Sequence, residues 1–230
     1  ASGQAFPKDN GYRGIWYFNQ PSKDAYVYKY SGGFATYPQQ HAPIAIYSAK
    51  VNKTFFCYGG TVTGKQELLH MVSYYDHATG LVPRPTILLN KHTEDAHDNP
   101  TISIDSSGYI WIFSSAHGTT RPSFIHRSAK PYSIDSFELI QTTNFSYTQP
   151  WYFAGQGFLF LHTRYRGSTA RDSRSGRALF SMTSPDGREW SEPREIAFIH
   201  QGSYQISWPH GSKLGTAFDV VGERRQTDFR

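Results

Sequence analysis

The chain has 230 residues, 23 Lys and Arg against 18 Asp and Glu, a formal charge of +5, and one cysteine, Cys57. A single thiol excludes an intrachain disulfide framework and a cysteine-rich zinc module, and no apolar run approaches the ~20 residues that cross a bilayer. With 16 Tyr, 16 Phe, 5 Trp, 20 Gly and 13 Pro, the composition favours short aromatic strands joined by tight turns, so the expected class is all-β.

The start, Ala1-Ser2-Gly3-Gln4, carries no signal-peptide pattern of its own. It suits a mature end left after signal removal as well as it suits a cloning remnant. The alternating run Tyr26-Val27-Tyr28-Lys29-Tyr30 lies in the segment through Gln40, which is expected to supply a strand that completes the last blade of a ring.

From His41 onward one unit recurs about every fifty residues: a short strand, a turn, an aromatic strand and a polar loop. Its copies are HAPIAIYSAKVNKTFFCYGGT from His41, HDNPTISIDSSGYIWIFSSAHGT from His97, YTQPWYFAGQGFLFLHTRY from Tyr147 and SYQISWPHGSKLGTAFDVV from Ser203. Two more strands follow each of the first three copies: Leu68–Tyr75 and Pro85–Lys91, Ser123–Ser128 and Phe137–Thr142, Arg177–Thr183 and Glu195–Ile199. Four strands per unit at this period predict the antiparallel blades of a β-propeller, with about four blades in one domain spanning residues 1–230. The fourth unit ends inside its third strand, so the propeller is expected to continue beyond Arg230 or to be completed by another chain. SPDGREW, Ser184 to Trp190, resembles an Asp-box, a folding device in which Ser and Asp close a turn and Trp packs between strands.

In such a unit the loops before the first strand and after the second emerge on one face. That face collects His41, His97, Asp98, Asn99, His117, Thr119, Arg121, Gln149, Arg164, Tyr165 and Arg177, while Asn52, Asp105 and His210 fall on the other. Tyr165 is placed in a loop between Arg164 and Arg166, and the Ser-, Gly- and Arg-rich stretch after it, through Gly176, reads as mobile. His126 and His200 read as structural groups at strand ends. The positive charge is scattered, without a Lys/Arg run or nucleic-acid motif, so an anionic glycan is a better partner than nucleic acid. Two imidazoles, a phenol and guanidinium groups at one mouth match what elimination from a uronic acid needs. A cation must neutralise the carboxylate, a base must take the C5 proton, and an acid must protonate O4.

NGYRGIWYFNQPS from Asn10, KYSGG, VNKTFFCYGGT, LVPRPTILLNKHTEDAHDNP, GYIWIFSSAHGTTRPSFIHRS and FLFLHTRY with SMTSPDGREWSEP resemble the BNR-repeat-containing (BNR-4-like) family that includes the ulvan lyases of marine bacteria. The resemblance implies a secreted propeller, seven-bladed when intact, that cuts between a sulfated rhamnose and a uronic acid. It also implies a His pair, a Tyr and an Arg in the central groove, matched here by His97, His117, Tyr165 and Arg177. The roles expected are Arg177 with His97 as carboxylate neutralisers, His117 as base and Tyr165 as acid. Base and acid can exchange, and Tyr165 can serve as both. Arg13, Asn99, Arg121 and Arg164 are the expected substrate contacts. The chemistry needs no cofactor, although the resemblance allows a structural calcium or zinc with ligands unassigned. A non-catalytic glycan-binding propeller and a sialidase-like hydrolase are the rival readings.

Overall fold

A computed structural model describes residues 4–8, 41–61, 67–166, 176–198 and 205–218 of the protein. Strands β1 (Gln4–Ala5), β2 (Ala45–Ser48), β3 (Lys53–Thr61), β4 (Leu68–Asp76) and β5 (Thr86–Asn90) come first, followed by a 3-10 turn at Ala96–Asp98. Next are β6 (Pro100–Ile104), β7 (Ile110–Ser114), β8 (Ser123–Ser128), β9 (Ser136–Thr143), β10 (Ser146–Phe153), β11 (Gly157–Arg166), β12 (Gly176–Ser184) and β13 (Arg194–Phe198). A hairpin of β14 (Gln205–His210) and β15 (Lys213–Phe218) completes the set. Sheets β2-β3-β4-β5, β6-β7-β8-β9 and β10-β11-β12-β13 are antiparallel and follow chain order, so the predicted blades are present. Among the described residues no helix is long and apolar enough to cross a membrane.

Why these residues make blades is plainest at β7, where every position is buried. Side chains alternate across a strand, so Ile110 and Ile112 pack into one cluster and Trp111 and Phe113 into another. The first cluster joins Phe55, Cys57, Val72 and Leu88 of the first blade to Ile102 and Phe137 of the second. The other joins Trp111 and Phe113 to Phe158, Phe160 and Met182 of the third. The core is therefore a stack of layers between sheets, and it absorbs the aromatic residues. Each large side chain buried this way contributes roughly 1.5–3 kcal/mol.

The first strands of neighbouring blades are also tied together. Ile102 N donates to Pro43 O at 2.9 Å, Trp151 Nε1 donates to Ser207 Oγ at 2.8 Å, and Ser207 N donates to Gln149 Oε1 at 2.6 Å. The Asp-box forms as expected. Gly187 N donates to Ser184 Oγ at 2.7 Å, Arg188 N donates to Asp186 Oδ1 at 2.9 Å, and the Trp190 ring packs near Phe113, Phe158 and Phe160.

One expectation changes, and the described start of the chain adds a pairing the sequence did not announce. Gln4 and Ala5 pair with Phe137 and Ser136 as a fifth strand on the second blade. Lys8 then reaches Thr86 Oγ1 at 2.6 Å and Asp135 at 3.1 Å, stapling the outer edges of two blades. Tyr165 lies inside β11, opposite Arg177 of β12, because the hairpin keeps its ladder through Arg166 and Gly176. The run Tyr26–Tyr30 and the end of the fourth unit lie outside the described residues.

Candidate active site

The site is built on the polar segment between β5 and β6. Its 3-10 turn is closed by Asp98 N donating to Asp95 O at 3.1 Å and by His97 N donating to Asp95 Oδ1 at 3.1 Å. The first blade then clamps the turn from beneath with two imidazoles, since backbone carbonyls only accept. His41 Nε2 donates to His97 O at 3.1 Å, and His70 Nε2 donates to Asp98 O at 2.7 Å. His70 also meets Ser114 Oγ through Nδ1 at 2.9 Å; burial, with the Lys91 charge, holds its pKa well below the usual histidine value.

Above this support sits an imidazole pair. His97 and His117 stack with ring centres 4.2 Å apart and planes 19° from parallel. One carboxylate holds both: His97 Nδ1 donates to Asp95 Oδ1 at 2.6 Å and His117 Nδ1 donates to Asp95 Oδ2 at 2.8 Å. Burial alone would raise the Asp95 pKa, but the hydrogen bonds from His117 and His97 outweigh it and hold the carboxyl well below the usual range. Arg177 crosses from the third blade and donates from Nη2 to His117 Nε2 at 2.8 Å, with its guanidinium carbon 4.4 Å from the centre of the Tyr147 ring. An arginine has no acceptor, so His117 is the Nδ1–H tautomer, with its Nε2 lone pair turned to the guanidinium. Side-chain exposures of 26% and 29% leave His97 and His117 open to solvent on a common side of the molecule.

Charges under the pair complete the electrostatics. Asp98 is fully buried; it accepts from His117 N at 2.7 Å and from Arg121 Nε and Nη2, both at 2.8 Å. The Asp98 hydrogen bond is the main reason the Arg121 pKa is raised. Lys91 lies 3.5 Å from Asp98; burial lowers its pKa to about 8 against the pull of that carboxylate. Three cations, Lys91, Arg121 and Arg177, thus face two carboxylates, Asp95 and Asp98, which leaves positive charge to spare for an acidic ligand.

The structure brings His97, His117 and Arg177 together as the sequence predicts, and puts the Tyr165 backbone in register with Arg177. Arg121 joins them, but as a brace on Asp95 and Asp98. One expected contact is corrected, and another is placed on the opposite sheet face. Asn99 is fully buried and so lies beneath the site, where a sugar does not reach it. Arg164 pairs with Ala178, one place out of phase with Arg177, and its guanidinium lies 5.9 Å from the Phe180 ring. Arg13 lies outside the described residues.

Four participants were missed. Asp95 sat in view in DAHDNP, and its position two residues before His97 was the available signal. His70 and Lys91 gave none. Tyr147 is a further member, a buried ring whose centre is 6.0 Å from His97 and 6.3 Å from His117. It adopts φ 51° at an irregularity in β10, a conformation uncommon outside glycine that collects at functional sites.

Asp95, His97 and His117 place possible ligand atoms within 4.8 Å of one another, which raises the question of a metal. The donor set does not fit one. Both Nδ1 atoms point their hydrogens at Asp95, and His117 Nε2 is taken by Arg177. The guanidinium of Arg121 against the same carboxylate would repel a cation.

No family model and no curated protein matches the chain. Solved structures do. One is described as a new family of polysaccharide lyase, PL25 ulvan lyase, with TM-score 0.60 and 18% identity over 82% of this chain and 48% of that chain. Another is such an ulvan lyase bound to -[GlcA(1-4)Rha3S]-, with TM-score 0.61 and 18% identity over 90% of this chain and 50% of that chain. The likeness establishes the class, an all-β propeller fold. This chain spans about half the length of the solved structures it matches.

Proposed function

We propose that the protein is a polysaccharide lyase that cleaves an ulvan-like sulfated, uronic-acid-containing polysaccharide by β-elimination. The observation that carries this reading is the stacked imidazole pair on one carboxylate, with a guanidinium against the lone pair of His117. A uronate carboxylate is the natural partner of that guanidinium, which stays charged and can grip it through two parallel hydrogen bonds. Neutralising the carboxylate makes C5–H more acidic. His117 Nε2 takes the C5 proton, the C4–C5 double bond forms, the C4–O4 bond breaks, and O4 leaves with a proton from Tyr165. His97 adds a second imidazole beside the developing charge. Exchange of base and acid between His117 and Tyr165 belongs to the same reading, and positioned proton transfer of this kind is worth roughly 10²–10⁴-fold. Extracellular or periplasmic location is part of the proposal, since the polymer does not cross a membrane.

Hydrolysis is disfavoured by the state of the carboxylates. A sialidase-like hydrolase pairs a Tyr nucleophile with a carboxylic acid that must reach the scissile bond; of the two carboxylates described at this site, Asp98 is fully buried and both oxygens of Asp95 accept from imidazoles. The test is to incubate the purified protein with ulvan and follow ultraviolet absorbance, then identify products by mass spectrometry. Unsaturated uronate ends are expected. Saturated reducing-end products would establish hydrolysis instead, and binding without turnover would establish a glycan-binding propeller.

A further inference from the structure

We propose that Asp95 is a positioning residue that sets the tautomer of both site histidines at once. The inference rests on the lyase reading for its kinetic consequence and on geometry alone for its chemical content. A carboxylate is acceptor-only, and its two oxygens each face a different Nδ1, at 2.6 Å from His97 and 2.8 Å from His117. Both rings are therefore protonated at Nδ1, and both turn their Nε2 edges away from Asp95. For His117 the consequence is directly visible, because Nε2 accepts from Arg177. Neither ring can change tautomer without setting a lone pair against a carboxylate oxygen.

Asp95 is itself fixed. Arg121 Nη2 donates to its Oδ2 at 3.0 Å, and His97 N donates to its Oδ1 at 3.1 Å. The carboxylate therefore cannot rotate away from either ring without losing further bonds. Its sharing also accounts for the stacking, since two planar rings bound edge-on to neighbouring oxygens of one carboxylate are brought face to face. Asp95 touches no reacting atom; it acts through His97 and His117, as the buried aspartate acts on histidine in a hydrolase triad.

The test is long-range proton–nitrogen NMR of the imidazoles in the wild type and in Asp95→Asn. In the wild type, both rings are expected to show a protonated Nδ1, and His117 an unprotonated Nε2. Asparagine offers one acceptor and one amide donor, so it can satisfy only one Nδ1–H. One of the two rings is expected to change to Nε2–H. On ulvan, kcat is expected to fall on the order of 10²–10⁴-fold with KM within about threefold. A purely structural role would lower the melting temperature and leave the ring nitrogens unchanged. A wild-type His97 or His117 without a proton on Nδ1, or unchanged tautomers in a folded Asp95→Asn, overturns the proposal. If the wild type releases no unsaturated product, the lyase reading fails, while the nitrogen signals still decide whether Asp95 sets the tautomers.

Discussion

Arg177 Nη2 donates to His117 Nε2 at 2.8 Å across the boundary between the second and third blades. In this resting arrangement the group proposed to neutralise the substrate occupies the lone pair of the group proposed to take its proton. Both can act only once the guanidinium has moved toward a carboxylate. In the proposed reaction an incoming uronate supplies that carboxylate, which would make binding of an acidic sugar and release of the base one event. Arg177→Lys keeps the charge but loses the planar fork and the stacking over Tyr147. Its kcat/KM on ulvan is expected to drop by about 10²–10³-fold, in the range found for loss of a donor to developing negative charge. Initial rates of product absorbance check this, and a lysine variant of near wild-type activity would remove Arg177 from the mechanism.

Acid should weaken the fold from neutrality downward. Burial lowers the pKa of His126 to about 4 and that of His162 to about 3, and lowers His70 as well. Such a group binds a proton in the unfolded chain, but not in the folded one, over the interval between its two pKa values. Stability is therefore fully present above about pH 6.5 and is lost as pH falls toward the folded values. Asp95, held low, adds a loss of the same sign further down. Urea unfolding between pH 7 and about pH 4 is expected to show a falling free energy. His126→Leu, which removes a buried Nδ1 without a partner, should flatten part of that slope.

Much of this was legible in the sequence, for reasons that differ by element. The alternation in Ile110-Trp111-Ile112-Phe113 announces a strand buried on both faces, and the repeat announces the blade. His97 and His117 were placed on one face because strand order alone sorts the loops. The register of Tyr165 was not legible, since a Ser-, Gly- and Arg-rich stretch gives no sign of where a ladder ends. Strand β1 has two residues and therefore no period to detect. Polar loop residues usually are exposed, which puts Asn99 at the surface by pattern, and a lysine at the end of the expected strand Pro85–Lys91 carries no mark of burial. Each is buried by contacts between elements that only the assembled blades create.

Asp98 provides a test of that hidden layer. Its carboxylate is fully buried between Lys91 and Arg121 and also holds the backbone of His117. Removing one partner of a buried ion cluster leaves the remaining charges uncompensated, at a cost of about 3–5 kcal/mol. Asp98→Asn is expected to destabilise the protein by that order in denaturant unfolding and to blur the His117 signals in NMR. A loss below about 1 kcal/mol, the size of an exposed pair, would show that solvent already screens the cluster.

The layers between blades can be tested at a glycine in the Asp-box. Gly187 has φ 76°, and a Cβ built there would lie 2.3 Å from the ring of Trp111. Trp111 cannot yield easily, because it is fully buried and its Nε1 donates to Asp105 Oδ2 at 2.9 Å. Gly155 serves as the control, with φ 75° but open space where its Cβ would go. Alanine at either position carries the left-handed backbone cost of roughly 1–2 kcal/mol. Only Gly187→Ala adds overpacking, typically about 1–3 kcal/mol more. Denaturant midpoints should therefore fall in the order wild type, Gly155→Ala, Gly187→Ala, with kcat of the folded protein unchanged in both variants. Equal losses in the two would mean that Trp111 moves freely, and that the layer between the second and third blades is looser than its packing implies.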